Sequence, residues 1–412
     1  MRRVSEAILT VLSEAIDLDV RDPLTAVPAR LVQDIVGLSR QFTRERQKAP
    51  LSYLQDPHLS MAYLAYFFPV NIAKVQELLD ELSPALEYRP GVVRVLELGC
   101  GPGTGVIGVL DWARSTGLLK SHRLDCVALD RSQHALGACQ DLWTSYTRGF
   151  AQGKGTLLTI CRDVQHGLGA DIRQLCGAGG YDLIIMQNVL SELFLTQQSV
   201  RIQARADLVT QALNLLSEHG TLLLIEPALR DSSRELHQLR DRLLGTTHCT
   251  LYSPCLHEGP CQALVKPTDW CHEERAWVSP GWIRAIDRKT GFIKDALKFS
   301  YALLRKDGRT IAKRANGVFR MVSELRVFKG ETRAWLCNEG GRSEVGRLDR
   351  QRSDTNAAFD QGKRGTIIRI DQIVRKEKMG RIASLGRVPE GATVEIVEPD
   401  GNFYSASGSV PP

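Results

Sequence analysis

The sequence has no run of about 18 consecutive apolar residues, and this absence excludes a transmembrane helix. It also lacks the acid-free leader of a targeting peptide, because Glu6, Glu14 and Asp17 interrupt the apolar positions of residues 1–20. That pattern predicts an amphipathic helix, and we expect a cytoplasmic protein with no membrane partner. The composition, 43% hydrophobic and 24% charged over 412 residues, excludes collagen-like and wholly disordered chains.

Closely spaced cysteine pairs are absent as well, although the chain has ten cysteines. A zinc knuckle brings its ligands as C-x2–4-C pairs, so this absence counts against one. Without a secretory signal we expect no disulfide framework either. Instead four cysteines cluster at positions 249, 255, 261 and 271, and Cys337 stands alone further on. Thiolates on such irregular loops suit a 4Fe-4S cluster with four cysteine ligands, and buried free cysteines are the alternative.

Residues 92–227 alternate short β-branched runs with helical patterns, which is typical of a parallel sheet flanked by helices. The predicted strands are 92–99, 124–130, 156–163, 181–190 and 220–227. Up to about residue 85 the apolar spacing is helical, and strand-like runs return after residue 317. The polar segment 342–365 lacks periodicity, so we predict a mobile loop there. The fold class is therefore α/β, with a doubly wound domain between a helical N-terminal region and a small β-rich C-terminal part.

A glycine-rich turn follows the first predicted strand, in VLELGCGPGTG at 95–105. Gly99, Gly101 and Gly103 allow a sharp turn and a close approach of the backbone to a ligand. Glu97 precedes the turn, where a carboxylate would repel a pyrophosphate and suits a cationic amino-acid group instead. The pattern therefore predicts S-adenosylmethionine rather than a nicotinamide cofactor.

Polar residues close the next predicted strands. Asp130 can accept hydrogen bonds from both ribose hydroxyls and Asp163 can reach the adenine amine, although capping explains many acids at strand ends. Asn188, at the end of the fourth predicted strand, is a further candidate for cofactor binding. No proline pair or aromatic follows it, so no base-methylating motif is recognisable and the catalytic residues are unknown. In this order, the marks resemble the class I methyltransferase family.

Positive charge is concentrated late in the chain. The net charge is +6, whereas residues 301–412 alone hold 21 basic and 14 acidic side chains. The sharpest block, from Arg284 to Arg320, has 11 basic residues against three acidic ones. Such a block favours nucleic acid as a partner, and an ordinary solvated face is the alternative.

The sequence as a whole resembles the small-ribosomal-subunit assembly methyltransferase-like proteins of mitochondria and their bacterial relatives. The resemblance spans most of residues 60–340 and rests on AYLAYFFPVNIAKV, VLELGCGPGTG, NVLSEL, LIEPAL, PCLHEGPC, DWCHEE and KFSYALLRK. It implies binding to the small ribosomal subunit and its rRNA, and we expect no DNA partner. It also implies a 4Fe-4S cluster held by Cys255, Cys261, Cys271 and Cys337. Spacing alone leaves Cys249 as a competitor for the last position.

These inferences divide the chain into four parts. They are a helical region at 1–88, an S-adenosylmethionine-binding methyltransferase domain at 89–245, a cysteine-rich iron–sulfur insertion at 246–316 and a small basic β-rich part at 317–412. We expect a ribosome biogenesis or translation factor without an evident catalytic constellation. The alternatives are an active methyltransferase of RNA or ribosomal protein, and a small-molecule methyltransferase with a zinc site.

Overall fold

The computed structural model describes residues 1–20, 26–43, 53–149, 154–197, 199–378 and 381–400. The chain forms two compact units, each assembled from separate stretches of sequence. The first unit contains Met1–Asp80, Leu86–Leu229 and Ala276–Phe299, and the second contains Glu81–Ala85, Arg230–Arg275 and Ser300–Pro412. Within the described residues, no helix is both long and apolar enough to cross a membrane.

The chain begins with helices, as the spacing of apolar residues predicts. They are α1 (Glu6–Ile16), α2 (Ala29–Thr43), α3 (Pro57–Ala62) and α4 (Phe68–Leu82), with a π-helical turn at Tyr63–Phe67 between the last two. The Ser5 side chain accepts a hydrogen bond from the Ile8 backbone and caps α1. Ile8 and Leu12 are buried on one face of α1, so this helix is amphipathic.

Parallel strands alternate with helices in the rest of the first unit. The elements are β1 (Val92–Leu98), α5 (Thr104–Ser115), β2 (Arg123–Asp130), α6 (Gln133–Thr147), β3 (Gly155–Cys161), α7 (Gly169–Cys176), β4 (Tyr181–Gln187), α8 (Arg201–Leu213) and β5 (Leu216–Pro227). The strands lie in the order β3-β2-β1-β4-β5 and each pairs in parallel with its neighbour. The prediction of a doubly wound α/β domain is confirmed.

The strand order determines where this sheet can bind a ligand. The chain runs outward from β1 through β2 to β3, and then returns to the other side of β1 to form β4 and β5. Such a reversal leaves a crevice at the carboxyl ends of the two central strands. Every residue of β4 is buried, as expected for a central strand covered on both faces. The carboxyl ends of β1 and β4 are therefore where a site is expected.

Further elements follow along the chain. They are α9 (Arg230–Thr246), β6 (Thr250–Ser253), β7 (Glu273–Ala276), α10 (Gly281–Thr290) and β8 (Ala296–Arg305). The β-rich part then contains β9 (Val318–Met321), β10 (Arg326–Phe328), β11 (Glu331–Asn338), β12 (Gly341–Leu348), β13 (Ile367–Ile370), β14 (Val374–Lys378), β15 (Arg381–Arg387) and β16 (Val394–Val397).

The second unit contains a sheet in the order β14-β15-β12-β11-β9-β13-β16, with β10 paired to β11. Most neighbours are antiparallel, and β12 with β15 is a parallel pair. Alternate residues of β11 are buried, and Ala334 and Leu336 pack with Met321 and Val345 in one hydrophobic core. The predicted β-rich C-terminal part is confirmed.

The prediction of a mobile loop at 342–365 is wrong. Residues Gly341–Leu348 form β12, and Asp354–Gln361 form 3-10 helix with a reciprocal cap between Ser353 and Asn356. Arg347 is buried and donates to both carboxylate oxygens of Asp360 at 2.6 Å. Paired charges and capped turns thus order a segment whose polarity suggested a loop.

Candidate functional site

A cavity of about 580 Å³ opens at the carboxyl ends of the parallel strands in the first unit. This volume is in the range of small-molecule and cofactor sites. Of the seven residues predicted to bind the cofactor, six line the cavity: Glu97, Gly99, Gly101, Asp130, Asp163 and Asn188. The seventh, Gly103, lies at the start of α5 and is not among the lining residues.

The glycine turn needs its glycines for two reasons. Gly99 has a φ of +71° and a Cβ there would lie 2.3 Å from Cγ2 of Val189, closer than any real contact. Gly103 has a φ of +83° and a Cβ there would lie 2.4 Å from Sγ of Cys139. A side chain is excluded at Gly99 and Gly103, because the backbone there is left-handed and neighbouring side chains lie too close. The glycine turn can therefore run close beside the cavity.

Glu97 is 1% exposed and faces the start of α5. Its two oxygens accept hydrogen bonds from the backbone N–H groups of Gly105 at 2.7 Å and Val106 at 2.8 Å. Burial raises the pKa of Glu97 to about 8, although these two hydrogen bonds oppose the rise. The carboxyl group therefore has a structural role at the helix start, and it still lines the cavity where a cation could restore its charge.

The acids that end β2 and follow β3 are also held by backbone donors. Asp130 accepts from the N–H groups of Gly101 and Ser132, both at 2.9 Å, and burial raises its pKa. Asp163 caps a short 3-10 helix and accepts from the Gln165 backbone at 2.9 Å. Asp130 and Asp163 therefore have the capping role anticipated for such acids, and their hydrogen bonds hold the carboxylates in place at the cavity wall.

The end of β4 carries two amide side chains that line the cavity. Gln187 donates to the carbonyl oxygen of Asn71 at 2.9 Å, and Asn188 has a left-handed φ of +57°. Among the described residues, Oε1 of Gln187 and Oδ1 of Asn188 are buried without a hydrogen-bond partner. A strained backbone beside unsatisfied polar atoms is a feature of ligand sites.

Sequence reasoning missed the residues on α4 and the preceding turn. Tyr63, Asn71 and Lys74 are buried and line the same cavity. Lys294 and Lys298 also line this cavity. The motif AYLAYFFPVNIAKV contains the first three, but its helical spacing indicated only packing. Polar residues inside an otherwise apolar helix face were the available signal.

The second unit contains a smaller cavity lined by Cys255, Cys261, Cys271 and Cys337. Cys255 follows β6, Cys261 precedes a 3-10 turn, Cys271 precedes β7 and Cys337 lies within β11. Cys249 is not among the lining residues, and its sulfur accepts a hydrogen bond from the Thr247 hydroxyl at 3.1 Å. The structure thus brings together the four cysteines that the family resemblance implies.

The thiols in this cavity are strongly perturbed. Burial, with repulsion from neighbouring cysteines, raises the pKa of Cys261 and of Cys337 to about 12 and also raises that of Cys271. Arg240 is buried beside them and donates to the backbone oxygens of His257 and Gly259. A buried guanidinium near four thiols is an environment in which thiolates would be compensated.

The four cysteines of the smaller cavity suit a cluster better than a single metal ion. In the described ranges, no group of three or more His, Cys, Asp or Glu side chains is arranged to hold one metal ion. A 4Fe-4S cluster places each cysteine on a different iron, so its ligands lie further apart than those of one ion. The donor set fits such a cluster in chemistry, whereas a zinc site has no arranged ligand group among these residues.

The basic block from Arg284 to Arg320 does not form one solvated surface. Arg305 is buried with Asp307, and Arg320 is buried with Glu81 at 3.2 Å and Glu273 at 2.8 Å. These two arginines are therefore unavailable for phosphate contacts. The prediction that this block supplies phosphate contacts is wrong for these two arginines, because carboxylates neutralise their charges. The carboxylate lies two positions away for Arg305 and far away in sequence for Arg320.

Most of the chain matches one known protein family. A family model described as mitochondrial small ribosomal subunit Rsm22 matches residues 57–355, which is 299 of the 412 residues. The chain belongs to this family. The match covers the residues that line the cysteine cavity and most of those that line the large cavity, and it confirms the family resemblance inferred from the motifs. No curated protein matches the chain.

Solved structures resemble this member of the Rsm22 family only remotely. A candidate class I S-adenosylmethionine-dependent methyltransferase from Listeria monocytogenes is 9% identical, with 73% of this chain and 86% of that chain covered and a TM-score of 0.35. A candidate RNA methyltransferase from Pyrococcus horikoshii is 11% identical, with 66% and 97% covered and a TM-score of 0.31. Likeness at this level supports no functional conclusion.

Proposed function

We propose that this protein is a small-ribosomal-subunit assembly or translation-associated factor with two cofactor sites. Its methyltransferase-like domain binds S-adenosylmethionine in the large cavity, its four clustered cysteines hold a 4Fe-4S cluster, and it contacts ribosomal RNA. Membership of the Rsm22 family supports the association with the small subunit. The proposed location is the cytoplasm.

One observation carries the S-adenosylmethionine assignment. Glu97, Asp130 and Asp163 lie at the carboxyl ends of three adjacent strands, and their carboxyl groups line one cavity of suitable volume. A cationic amino group, a ribose diol and an adenine amine are the donors that these acceptors suit in turn. The carboxyl group of Glu97 beside the glycine turn suits an amino group rather than a pyrophosphate, which argues against a dinucleotide.

The cluster assignment rests on the shared cavity of the four cysteines. Cys255, Cys261, Cys271 and Cys337 would each supply one thiolate. When bound, the cluster would tie two loops to β11 through metal–sulfur bonds and so contribute folding free energy. This structural role does not require the cluster to react.

Exposed basic residues of the β-rich part are the proposed RNA contacts. Arg326 and Lys329 are exposed on and after β10, next to the exposed side chain of Phe328. Arg326 also forms an ion pair with Glu344, which a phosphate would have to compete with. Phosphate contacts from such residues should make binding fall steeply with salt, and a flat salt dependence would remove them from the proposal.

The first test is calorimetry with S-adenosylmethionine and, separately, NADH. We expect binding of the first and none of the second, and the opposite result would refute the cofactor assignment. The second test is cosedimentation with purified small and large ribosomal subunits. Selective cosedimentation with the small subunit is expected, and equal or absent association would refute the partner.

A second candidate is an active methyltransferase of RNA or ribosomal protein. The buried, unpartnered amide oxygens of Gln187 and Asn188 at the end of β4 favour it, because they are placed to accept hydrogen bonds from an amine. Methyl transfer from tritiated S-adenosylmethionine to immature small subunits would distinguish this enzyme from a binding factor.

A further inference from the structure

One side of the large cavity is chemically unlike the cofactor wall. We call it the lysine subsite and define it by Tyr63, Asn71, Lys74, Gln187 and Lys294, which all line the cavity. The cofactor wall carries carboxyl groups, whereas this side carries ammonium groups and neutral amides. The lysine subsite therefore suits a different ligand group from the carboxyl groups, although Arg131 and Arg162 also line the cavity beside Asp130 and Asp163 in sequence.

Lys74 is the central group of the lysine subsite. It is 8% exposed, and its ammonium donates to Oδ1 of Asn71 at 3.0 Å, a neutral acceptor rather than a carboxylate. Asn71 in turn donates to the Tyr63 hydroxyl at 3.2 Å. A π-helical turn at Tyr63–Phe67 leads into α4, and such turns frequently occur at functional sites.

The electrostatic balance at Lys74 is unfavourable for a cation without a ligand. Burial and repulsion from Lys294 lower the pKa of Lys74 to about 7, and Glu226 opposes this only in part. Burial and Lys298 also lower the pKa of Lys294, and Asp287 opposes this fall. An anion bound between the two ammonium groups would relieve both costs.

Gln187 adds a hydrogen-bonding requirement. Its Nε2 donates to the Asn71 carbonyl oxygen at 2.9 Å, which leaves Oε1 as the group directed elsewhere. Oε1 is buried and has no partner in the part of the chain that the structure describes. A ligand at this position must therefore supply an N–H or O–H donor beside its anionic group.

We propose that the lysine subsite binds a nucleotide of the RNA partner, with its phosphate between Lys74 and Lys294 and an N–H of its base on Oε1 of Gln187. Two neighbouring ammonium groups are better suited to bind a phosphate than to bind a single carboxylate. The proposal rests on the proposed function, since it assigns the second ligand of the same cavity. It adds a nucleotide-binding site that the cofactor does not use.

The test uses the four nucleoside 5′-monophosphates as probes, each compared with its nucleoside and with acetate. Calorimetry on the whole protein loaded with S-adenosylhomocysteine measures affinity, and NMR of 13Cε-labelled lysine measures the pKa of Lys74. We expect at least one monophosphate to bind and to raise the Lys74 pKa by about one or more, and its nucleoside and acetate not to. No response to any monophosphate, or an equal response to acetate, would overturn the proposal.

Variants test whether Lys74 serves the nucleotide or the cofactor. Lys74→Met should weaken monophosphate binding by about tenfold or more while S-adenosylmethionine affinity stays within about twofold, and Lys74→Arg should retain much of the binding. Lys120→Met, at an exposed lysine outside the cavity, is the matched control. Loss of S-adenosylmethionine affinity with unchanged monophosphate binding would show that Lys74 holds the cofactor and would overturn the proposal.

Two further readouts keep the result interpretable. Gln187→Glu should also weaken monophosphate binding by adding a negative charge, so the proposal stays testable if Lys74→Met does not fold. Failure of the wild-type protein to bind S-adenosylmethionine would refute the proposed function, whereas the monophosphate titration of the cofactor-free protein would still report on the lysine subsite.

Discussion

The two cavities hold polar groups in opposite ways. In the large cavity, Glu97 and Asp130 have their oxygens engaged by backbone N–H groups from the glycine turn and its surroundings. In the cysteine cavity, burial raises the pKa of the Cys261 and Cys337 thiols to about 12, so they are protonated at neutral pH unless a metal binds. Backbone N–H groups hold the carboxyl oxygens of the first site in place before a ligand binds, whereas the second site depends on its ligand to displace the protons of buried thiols.

The largest expected effect follows from this need for a ligand. Replacing any one of Cys255, Cys261, Cys271 or Cys337 by Ser should abolish the bound iron and lower the unfolding free energy by several kcal/mol, because metal binding and folding are coupled. Iron content and thermal unfolding of anaerobically purified variants measure both effects. Cys249→Ser is the matched control and should keep its iron. Loss of iron there with retention in Cys337→Ser would show that the wrong fourth ligand is assigned.

The preorganised cavity should respond to loss of one charged acceptor without unfolding. Asp130→Asn should weaken S-adenosylmethionine binding by about 1.5–3 kcal/mol, the value of a hydrogen bond to a charged group. Calorimetry measures the change. Asp125→Asn, on the same strand but outside the cavity lining, should leave the affinity unchanged. Equal affinities for the wild-type protein and Asp130→Asn would rule out the proposed ribose contact.

The backbone contribution to the large cavity can be measured with a pair of glycine substitutions. Gly99→Ala should destabilise the protein by about 1–3 kcal/mol, because its φ is +71° and the new Cβ would meet Val189. Gly137→Ala should instead stabilise it by up to about 1 kcal/mol, since Gly137 is inside α6 with open space around it. Chemical denaturation measures both. Similar effects at the two positions would contradict the account of the turn.

The pH dependence of S-adenosylmethionine affinity should show whether Glu97 changes its charge when the ligand binds. Burial raises its pKa to about 8, so the free protein holds a proton there at pH 7, and a cationic ligand favours the ionised form. Binding of S-adenosylmethionine should therefore release a proton, and affinity should rise by up to about tenfold per pH unit as the pH approaches 8, then level off. Calorimetry in buffers of different ionisation enthalpy measures the released proton. An affinity independent of pH between 6 and 8 would contradict a cation at Glu97.

The cofactor wall could be predicted from the sequence because its signals are local. Glu97, Gly99 and Asp130 lie at strand ends, and the carboxyl ends of parallel strands meet at one edge of a sheet. The alternation of strands and helices therefore determined both the fold and the position of the cavity. Lys74 was missed because its burial beside a cavity depends on the tertiary fold, and the polar residues within an apolar helix were only a weak local signal.

Long-range pairing explains the other differences. Cys271 and Cys337 are 66 positions apart, so spacing could not decide between Cys337 and Cys249. Arg320 belongs to a basic block in the sequence, yet it is buried with Glu81, which lies 239 positions away. The charge of a segment predicts a charged surface only where its side chains are exposed, and exposure depends on long-range packing.

The contrast between the two cavities is tested most directly by the metal content of the wild-type protein purified without oxygen. Atomic emission and sulfide analysis would count iron, zinc and inorganic sulfide per chain. The account predicts about four irons and four sulfides per chain, with the brown absorbance of a cluster. Zinc without sulfide, or no metal with four free thiols in a stably folded protein, would contradict it.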